Sequence, residues 1–525
     1  MDQPFPLLSL ITFFPLLGAA LLLLVNREEK ERIRWITLAV TLVEFIVSLP
    51  LFFQFQPGSK AIMQFVEYRP WVLDYNIFYF MGIDGISLFL VLLTTFLTAV
   101  SVIACWRDIQ DKVKEFMICL LFLETGMIGV FVSLDLFLFY VFWEVMLIPM
   151  YFLIGIWGNP KRRIYAALKF FIYTMAGSVL MLAAILVLYF TSGNLSGGNN
   201  TFNLLRLYEL QLPIELQYWL FLAFGVAFAI KVPMFPFHTW LPDAHTEAPT
   251  VGSVLLAAVL LKMGTYGFLR FSIPLFPQAS IQLTPLVSIL ALIGIIYGAL
   301  VCMVQKDLKR LIAFSSVSHM GFVMLGLFAL NLQGIEGGIL QMLNHGFSTG
   351  ALFLLVGMLY ERRHTRMIDD FGGLWKQMPV FAAFFIVVTL SSIGLPGLNG
   401  FVGEFLILVG VFKAKGVYAV VAATGIILAA AYMLWMFQRV MFGEITKPEN
   451  RVLKDLSKRE ILVLSCVTLF IFWIGIYPQT FLSRIEPTVK NYLSFVTLKQ
   501  QGSAQQILAE KLKLAELLPP IAGQK

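Results

Sequence analysis

The sequence predicts an all-α polytopic membrane protein of about fourteen transmembrane helices, and three observations carry that prediction. Hydrophobic residues fill 59% of the 525 positions and charged residues only 13%, with a mean hydropathy of +0.83, far outside the range of soluble domains. Apolar runs of about 20 residues, each long enough to cross roughly 30 Å of hydrocarbon, recur from Leu7 to near Tyr477. These runs show no strand alternation. Lipid offers no partner to an unpaired backbone group, so helices are the expected answer.

The first run, 7–25, follows "MDQPFP", which has no basic residue, and precedes "NREEKERIR". It lacks the form of a cleavable signal and reads as span one, with its start outside. Further spans are expected near 33–53, 83–105, 114–133, 135–157, 164–190, 217–238, 249–272, 282–303, 309–330, 335–359, 381–410, 416–442 and 461–479. Alternate connections are basic: 27–34, 107–114, 161–163, 306–310, 362–376 and 439–459. That alternation follows the positive-inside rule, so the net charge of +7 reflects membrane orientation and not nucleic-acid binding. The polar connections 54–76 and 191–216 fall outside. The tail from Arg484, with Pro519 and Pro520 near its end, is expected to be a short surface element or disordered.

Four scattered cysteines, Cys105, Cys119, Cys302 and Cys466, offer neither a thiolate metal site nor an iron–sulfur motif. No glycine-rich nucleotide fingerprint follows a strand. Any redox or nucleotide chemistry is therefore expected in a partner.

Two spans are interrupted. The seventh, "GVAFAIKVPMFPFHTWLPDAH", sets Lys231 beside Pro233, Pro236 and Pro242; the twelfth, "SSIGLPGLNGFVGEF", sets Pro396, Gly397 and Gly400 before Glu404. The fifth span carries Glu144 and the tenth carries His319. Glu144 and His319 are 175 residues apart, and Lys231 and Glu404 are 173 apart. The same pair of features returns after five spans, and an odd number of spans inverts orientation. This pattern predicts an inverted-topology repeat around broken helices. The expected organisation is 1–110 for spans one to three, 111–275 for the first repeat, 276–445 for the second, and 446–525 for span fourteen and the tail.

A charged residue at the centre of a membrane helix costs about 2.5 to 3.5 kcal/mol on insertion scales, so each one needs a reason. Glu144 lies too deep in its span for a carboxylate to reach the interface. Lys231 and Lys262 are as central, and each sits beside a break or a glycine where water can enter. Lys169 lies near Arg163 and can snorkel. His319 and His345 stand on adjacent spans near serine and threonine, without the third ligand a metal site would need, and imidazole titrates near neutral pH. Glu404 follows the second break. His238 and His245 are expected on the basic-loop side, and Glu124 and Asp135 along an access route. Burial favours the neutral form of lysine and of glutamate, while an adjacent opposite charge favours both ions. A buried lysine whose carboxylate neighbour moves will therefore switch between holding and releasing a proton. Glu144, Lys231, Lys262, His319, His345 and Glu404 are the expected proton pathway.

The segments "LETGMIGVFVSLDLFLFYVFWEVMLIPMYFLIGIWG", "KVPMFPFHTWLPDAHTEAPTVGSVLLAAVLLKMGTYG", "KDLKRLIAFSSVSHMG" and "LPGLNGFVGEF" resemble the antiporter-like subunits of proton-pumping NADH:quinone oxidoreductase, respiratory complex I. The resemblance spans nearly the whole chain from Leu7 to Ile476. It implies Glu144 and Lys231 as an ion pair, Lys262 as the connecting lysine, His319 and His345 as a central relay, and Glu404 as the terminal residue of the output half. It also implies no long lateral helix at the C-terminus and no cofactor in this chain. NADH, FMN, iron–sulfur clusters and quinone would belong to partner subunits. Implied partners are the other membrane-arm subunits, including neighbouring antiporter-like subunits, and the lipid bilayer, with no nucleic acid. The implied setting is a bacterial inner membrane with the N-terminus outside. A Na⁺/H⁺ or K⁺/H⁺ antiporter subunit, a membrane-bound hydrogenase subunit and a passive spacer share parts of this pattern.

Overall fold

The computed structural model describes residues 5–501 apart from Lys60 and Gly197; Pro519 and Pro520 lie outside the described residues. In chain order the main elements are α1 (Leu7–Leu24), α2 (Lys30–Gln54), strands β1 (Gln64–Val72) and β2 (Ile77–Ile83), α3 (Leu88–Ala104), α4 (Val113–Val132), α5 (Leu136–Val145), α6 (Leu147–Trp157), α7 (Arg163–Ser196), α8 (Ile214–Lys231), α9 (Trp240–Glu247) and α10 (Thr250–Leu275). They continue with α11 (Pro277–Met303), α12 (Leu308–Leu327), α13 (Leu332–Arg363), α14 (Pro379–Ile393), α15 (Asn399–Met441), α16 (Lys458–Ile476) and α17 (Gln479–Gln501). Among the described residues, twelve spans are long and apolar enough to cross a bilayer, with α5 and α6 counted together, and α3 and α14 are shorter apolar helices. The protein is an integral membrane protein.

The polar connection 54–76 is not all loop. It opens an antiparallel hairpin in which Tyr68 faces Phe80 and Arg69 faces Tyr79, turned at Asn76 in the left-handed region, φ +51°. Alternation over so few residues gave no signal beside the long apolar runs. The hairpin does structural work at the start of the chain. Glu67 accepts the backbone amides of Leu8 at 2.7 Å and Ser9 at 3.1 Å. The first turn of α1 thus finds, on a strand, the acceptors that helix ends require.

Both predicted breaks are present. α8 stops at Lys231; Met234 then donates its amide to the Ala229 carbonyl at 2.9 Å, and Trp240 Nε1 donates to the Ile230 carbonyl at 2.8 Å. α14 stops at Gly394, whose φ of +84° suits a residue without Cβ, and α15 resumes at Asn399. A third interruption was not singled out from the sequence: Met146 separates α5 from α6, and Pro149, four residues after Val145, has no N–H to give the Val145 carbonyl that ends α5. α15 is itself kinked at Lys415 (φ −158°, ψ 97°).

α10, α12 and α13 form the centre, with nearly every side chain buried. α10 contains two π-turns, Leu256–Leu260 and Phe268–Ser272. In the second, Arg270 pairs with Asp84 at 2.6 Å, both side chains about 5% exposed or less, and its Nε donates to the Tyr266 hydroxyl at 3.2 Å.

The tail from Arg484 to Gln501 belongs to a regular helix, a correction to the expected short or disordered element. α17 is amphipathic, with Phe481, Ile485, Val489 and Val496 buried on one face. Thr488 accepts the Gly85 amide at 3.0 Å. Lys499 donates to the carbonyls of Pro274 at 3.0 Å and Leu275 at 3.4 Å, placing a cation on the C-terminal end of α10.

Breaking the buried Asp84–Arg270 pair leaves an uncompensated charge, at about 3 to 5 kcal/mol. Asp84→Asn is expected to lower the temperature at which the detergent-solubilised protein leaves the monodisperse peak in size-exclusion chromatography, whereas exposed Asp74→Asn leaves it unchanged.

Candidate functional site

The sequence places lysines, histidines and acids on six helices, and the fold gathers four of them into contact. Lys262 follows the first π-turn of α10. Its ammonium donates to the Ala257 carbonyl, five residues back, at 2.5 Å and lies 2.7 Å from His345 Nδ1. The wider turn offers that carbonyl to the side chain. His345, on α13, lies with its ring centroid 6.0 Å from that of His319 on α12, and its Nε2 has no hydrogen-bond partner. His319 Nδ1 lies 3.0 Å from Glu404 Oε1 and its Nε2 lies 3.4 Å from the Ser392 hydroxyl. All four residues are at most 4% exposed. The row runs lysine, histidine, histidine, glutamate, alternating groups that can hold and pass a proton.

The second break supplies the surroundings of Glu404. Gln341 donates to Glu404 Oε1 at 3.0 Å. Asn344 in turn donates to Gln341 at 3.0 Å and to the Asn399 carbonyl at 2.8 Å, and Ser391 donates to Asn399 Oδ1 at 2.5 Å. The start of α15 at Asn399 is thereby tied to the side chains that orient the carboxylate. Sequence reasoning did not single out Gln341, Asn344, Ser391 and Asn399. The signal was present on α13, where Gln341, Asn344, His345 and Ser348 are grouped within eight residues of an otherwise apolar helix.

Lys231 and Glu144 stand apart from that row and form no direct ion pair, although Glu144 lies near enough to act electrostatically on the ammonium. The Lys231 ammonium, 1% exposed, lies 3.4 Å from Met146 Sδ and 5.5 and 5.4 Å from the ring centroids of Trp143 and Phe170. It has no carboxylate within the 4.0 Å of an ion pair. Glu144 is half-buried, and its Oε1 has no hydrogen-bond partner. The implied ion pair is therefore open in this structure: the α5–α6 interruption puts Met146, and not Glu144, against the ammonium. Between Lys231 and Lys262 the backbones of α8 and α10 touch at Gly264, where a Cβ would come within 2.7 Å of the Phe228 carbonyl.

Several expectations are corrected. Lys169 does not snorkel; it pairs with Asp243 of α9 at 2.7 Å, joining α7 to the broken span. His245 is no loop residue: it lies on α9, fully buried, stacked on Phe353 at 4.7 Å, with neither ring nitrogen bonded. His238 sits in a buried 3₁₀ turn beside Tyr297. Asp135 caps α5 through the amides of Phe137 and Leu138. Glu124 faces Glu44 of α2 and none of the row. Among the described residues, no group of three or more His, Cys, Asp or Glu is placed to hold a metal ion.

An all-α bundle whose interrupted spans flank buried lysine, histidine and glutamate is of the antiporter-like class of membrane subunits. The family model described as "NADH:quinone oxidoreductase/Mrp antiporter, TM" matches residues 133–437, and the chain belongs to that family. It is 48% identical over 500 residues to the NADH-quinone oxidoreductase subunit M of Rhodobacter capsulatus, covering 92% of this chain and 95% of the relative. It is 47% identical over 486 residues to the NADH-ubiquinone oxidoreductase chain 4 of Marchantia polymorpha, covering 92% and 96%. A chain of respiratory complex I from Thermus thermophilus with bound NADH superposes with a TM-score of 0.85 at 32% identity, covering 93% of this chain and 99% of that one. An archaeal membrane-bound sulfane sulfur reductase shares the fold, with a TM-score of 0.79 at 22% identity over 90% of this chain and 76% of that one.

Gln341→Leu removes the amide that holds Glu404 Oε1, a hydrogen bond to a charged group worth about 1.5 to 3 kcal/mol. The expected outcome is an assembled protein whose quinone-linked proton translocation falls roughly tenfold or more, read by pH-indicator quenching in membrane vesicles; Gln341→Asn is expected to lose less.

Proposed function

We propose that the protein is a proton-translocating membrane-arm subunit of an NADH:quinone oxidoreductase. The observation that carries this reading is the buried row Lys262–His345–His319–Glu404, in which two hydrogen-bonding contacts of 2.7 and 3.0 Å flank a pair of imidazoles. Glu144 and Lys231 form the input half. When Glu144 approaches, it stabilises the Lys231 ammonium; when it withdraws, Lys231 sits against a thioether and two rings, which hold a cation far less well than a carboxylate does. The proton then moves to Lys262, and charge on Lys262 is handed through His345 and His319 to Glu404. Each transfer breaks one N–H or O–H bond and forms the next, so no redox change occurs in this chain.

The driving event is quinone reduction in partner subunits, which hold the NADH, FMN, iron–sulfur and quinone sites. Neighbouring membrane-arm subunits, including other antiporter-like ones, flank it in the bilayer. The setting is a bacterial inner membrane, with the N-terminus outside. Residues 111–275 and 276–445 act as two inverted repeats between the helices of 1–110 and the last helix and tail of 446–525. Support for the repeat comes from the caps: Asp135 opens α5 and Asp307 opens α12, each accepting the amides two and three residues on, at a separation of 172 residues, within a turn of the 175 and 173 that relate Glu144 to His319 and Lys231 to Glu404.

The family description also names Mrp antiporters, so cation exchange is the second reading. In a complex carrying Lys231→Ala, quinone reduction and proton translocation are expected to fall together while the complex still assembles. Full activity of both would remove Lys231 from the pathway. With the unsubstituted chain, proton flux that depends on Na⁺ or K⁺ would favour exchange. Glu144→Gln is expected to lower protons moved per electron; an unchanged ratio with poor assembly would make the subunit a spacer.

A further inference from the structure

The helices before the first repeat contain ionisable groups that the row does not use. On α2, Arg34, Thr37, Thr41, Glu44 and Ser48 recur at spacings of three and four and so share one face. On α3, Thr94, Thr98 and Ser101 do the same. These two helices pack on each other and on α4, which brings Glu124 to the same seam. All nine residues are at most 4% exposed, although Glu44 and Glu124 lie near the middle of their helices. At one end Arg34 donates to Glu31 Oε1 at 2.5 Å, to the Ile109 carbonyl at 2.8 Å and to Gln110 Oε1 at 3.1 Å. The Glu31 side chain is 64% exposed, so this end opens on a basic-loop face.

At the other end the carboxyl groups of Glu44 and Glu124 meet side chain to side chain. None of their four oxygens has a hydrogen-bond donor. Thr98 lies beside Glu124, but its hydroxyl hydrogen goes to the Thr94 carbonyl at 2.9 Å. Neither acid has an ion-pair partner within 4.0 Å, and the only charged group acting on either is the other. Two carboxylates in contact in a buried apolar setting, with no cation and no donor, repel each other and lack hydration. A single proton between them replaces that repulsion with a charge-assisted O–H···O bond. Along the seam, Ser101 Oγ and Arg34 Nε are buried and also without partners, leaving capacity for bridging water.

We infer that Glu44 and Glu124 form a proton-binding site, separate from the Lys262–Glu404 row, loaded from the basic-loop face through the hydroxyl seam of Thr37, Thr41, Thr98 and Ser101. The proton comes from water at the Arg34 end, and only O–H bonds form and break. A metal cation fits less well, since it requires more oxygen ligands than two carboxyls and one flanking hydroxyl supply.

The test is infrared spectroscopy of the purified complex with isotope-labelled glutamate, a readout that does not depend on whether the row pumps. The double variant Glu44→Gln, Glu124→Gln keeps volume and allows an amide–amide hydrogen bond. It is expected to lose the C=O intensity of one protonated carboxyl; loss of carboxylate bands alone would overturn the proposal. If the double variant does not assemble, each single variant is expected to shift the frequency of the protonated band, and an unshifted band in both overturns it. Thr41→Val with Thr98→Val is expected to keep the band but to slow its exchange in D₂O by roughly tenfold, as hydroxyl–water hydrogen bonds leave the route; unchanged exchange would remove the seam as the path. Disappearance of the band on adding Na⁺ at fixed pH would reassign the site to a cation.

Discussion

Hydrocarbon gives no hydrogen bonds, so every polar group in a membrane interior must find its partner inside the protein. The architecture follows from that constraint. Where a helix is intact, its backbone satisfies itself. Where it is broken, groups near the breaks find partners inside the chain. Trp240 donates to the Ile230 carbonyl at the first. At the second, the amides of Gly394, Leu395 and Leu398 bond to nearby backbone carbonyls, while Asn344 and Ser391 bond Asn399 where the helix resumes. The second break therefore lies among the polar groups around Glu404, whereas the first leaves Lys231 among apolar side chains. The same requirement accounts for the second π-turn, whose Arg270 is held by Asp84 and Tyr266.

The two ends of the proposed pathway, Lys231 and Glu404, meet this constraint differently. Glu404 receives His319 and Gln341, and Gln341 is in turn held by Asn344, which fixes the carboxyl group in one place. Lys231 has only a sulfur and two ring faces. An ammonium there is under-solvated, and an under-solvated base is ready to give up its proton. In the proposed pathway Lys231 is thus a loose input group and Glu404 a fixed output group, joined by a lysine and two imidazoles. Asymmetry of this kind favours movement of charge in one direction once the input is perturbed.

Most of the fold was legible in the sequence because its signals were long: apolar runs, alternating basic loops, and proline or glycine at two breaks. The residues of the row were legible because buried charge is expensive and conspicuous. Four things escaped. The hairpin is short and hides in a polar connection. The Met146 interruption follows from Pro149, whose missing N–H leaves the Val145 carbonyl free, but a lone proline in a long apolar run is easily passed over, and Gly126 of α4 admits Met146 at close range. The neutral support around Glu404, Gln341 and Asn344 above all, carries no charge and so raised no alarm. α17 was read as an irregular tail because its mean hydropathy is low; its burial on one face emerges only from the periodicity of Phe481, Ile485 and Val489.

The docking of α17 has a mechanical corollary. Lys499 clasps the end of α10, Thr488 clasps Gly85 beside Asp84, and Asp84 holds Arg270 on α10 again. α10 is thereby moored at its outer end to two separate anchors, and sliding along its axis would tear both. It behaves as a standing post in the bundle. Displacement near Lys262 is left to the side chain and to the slack of the Leu256–Leu260 turn.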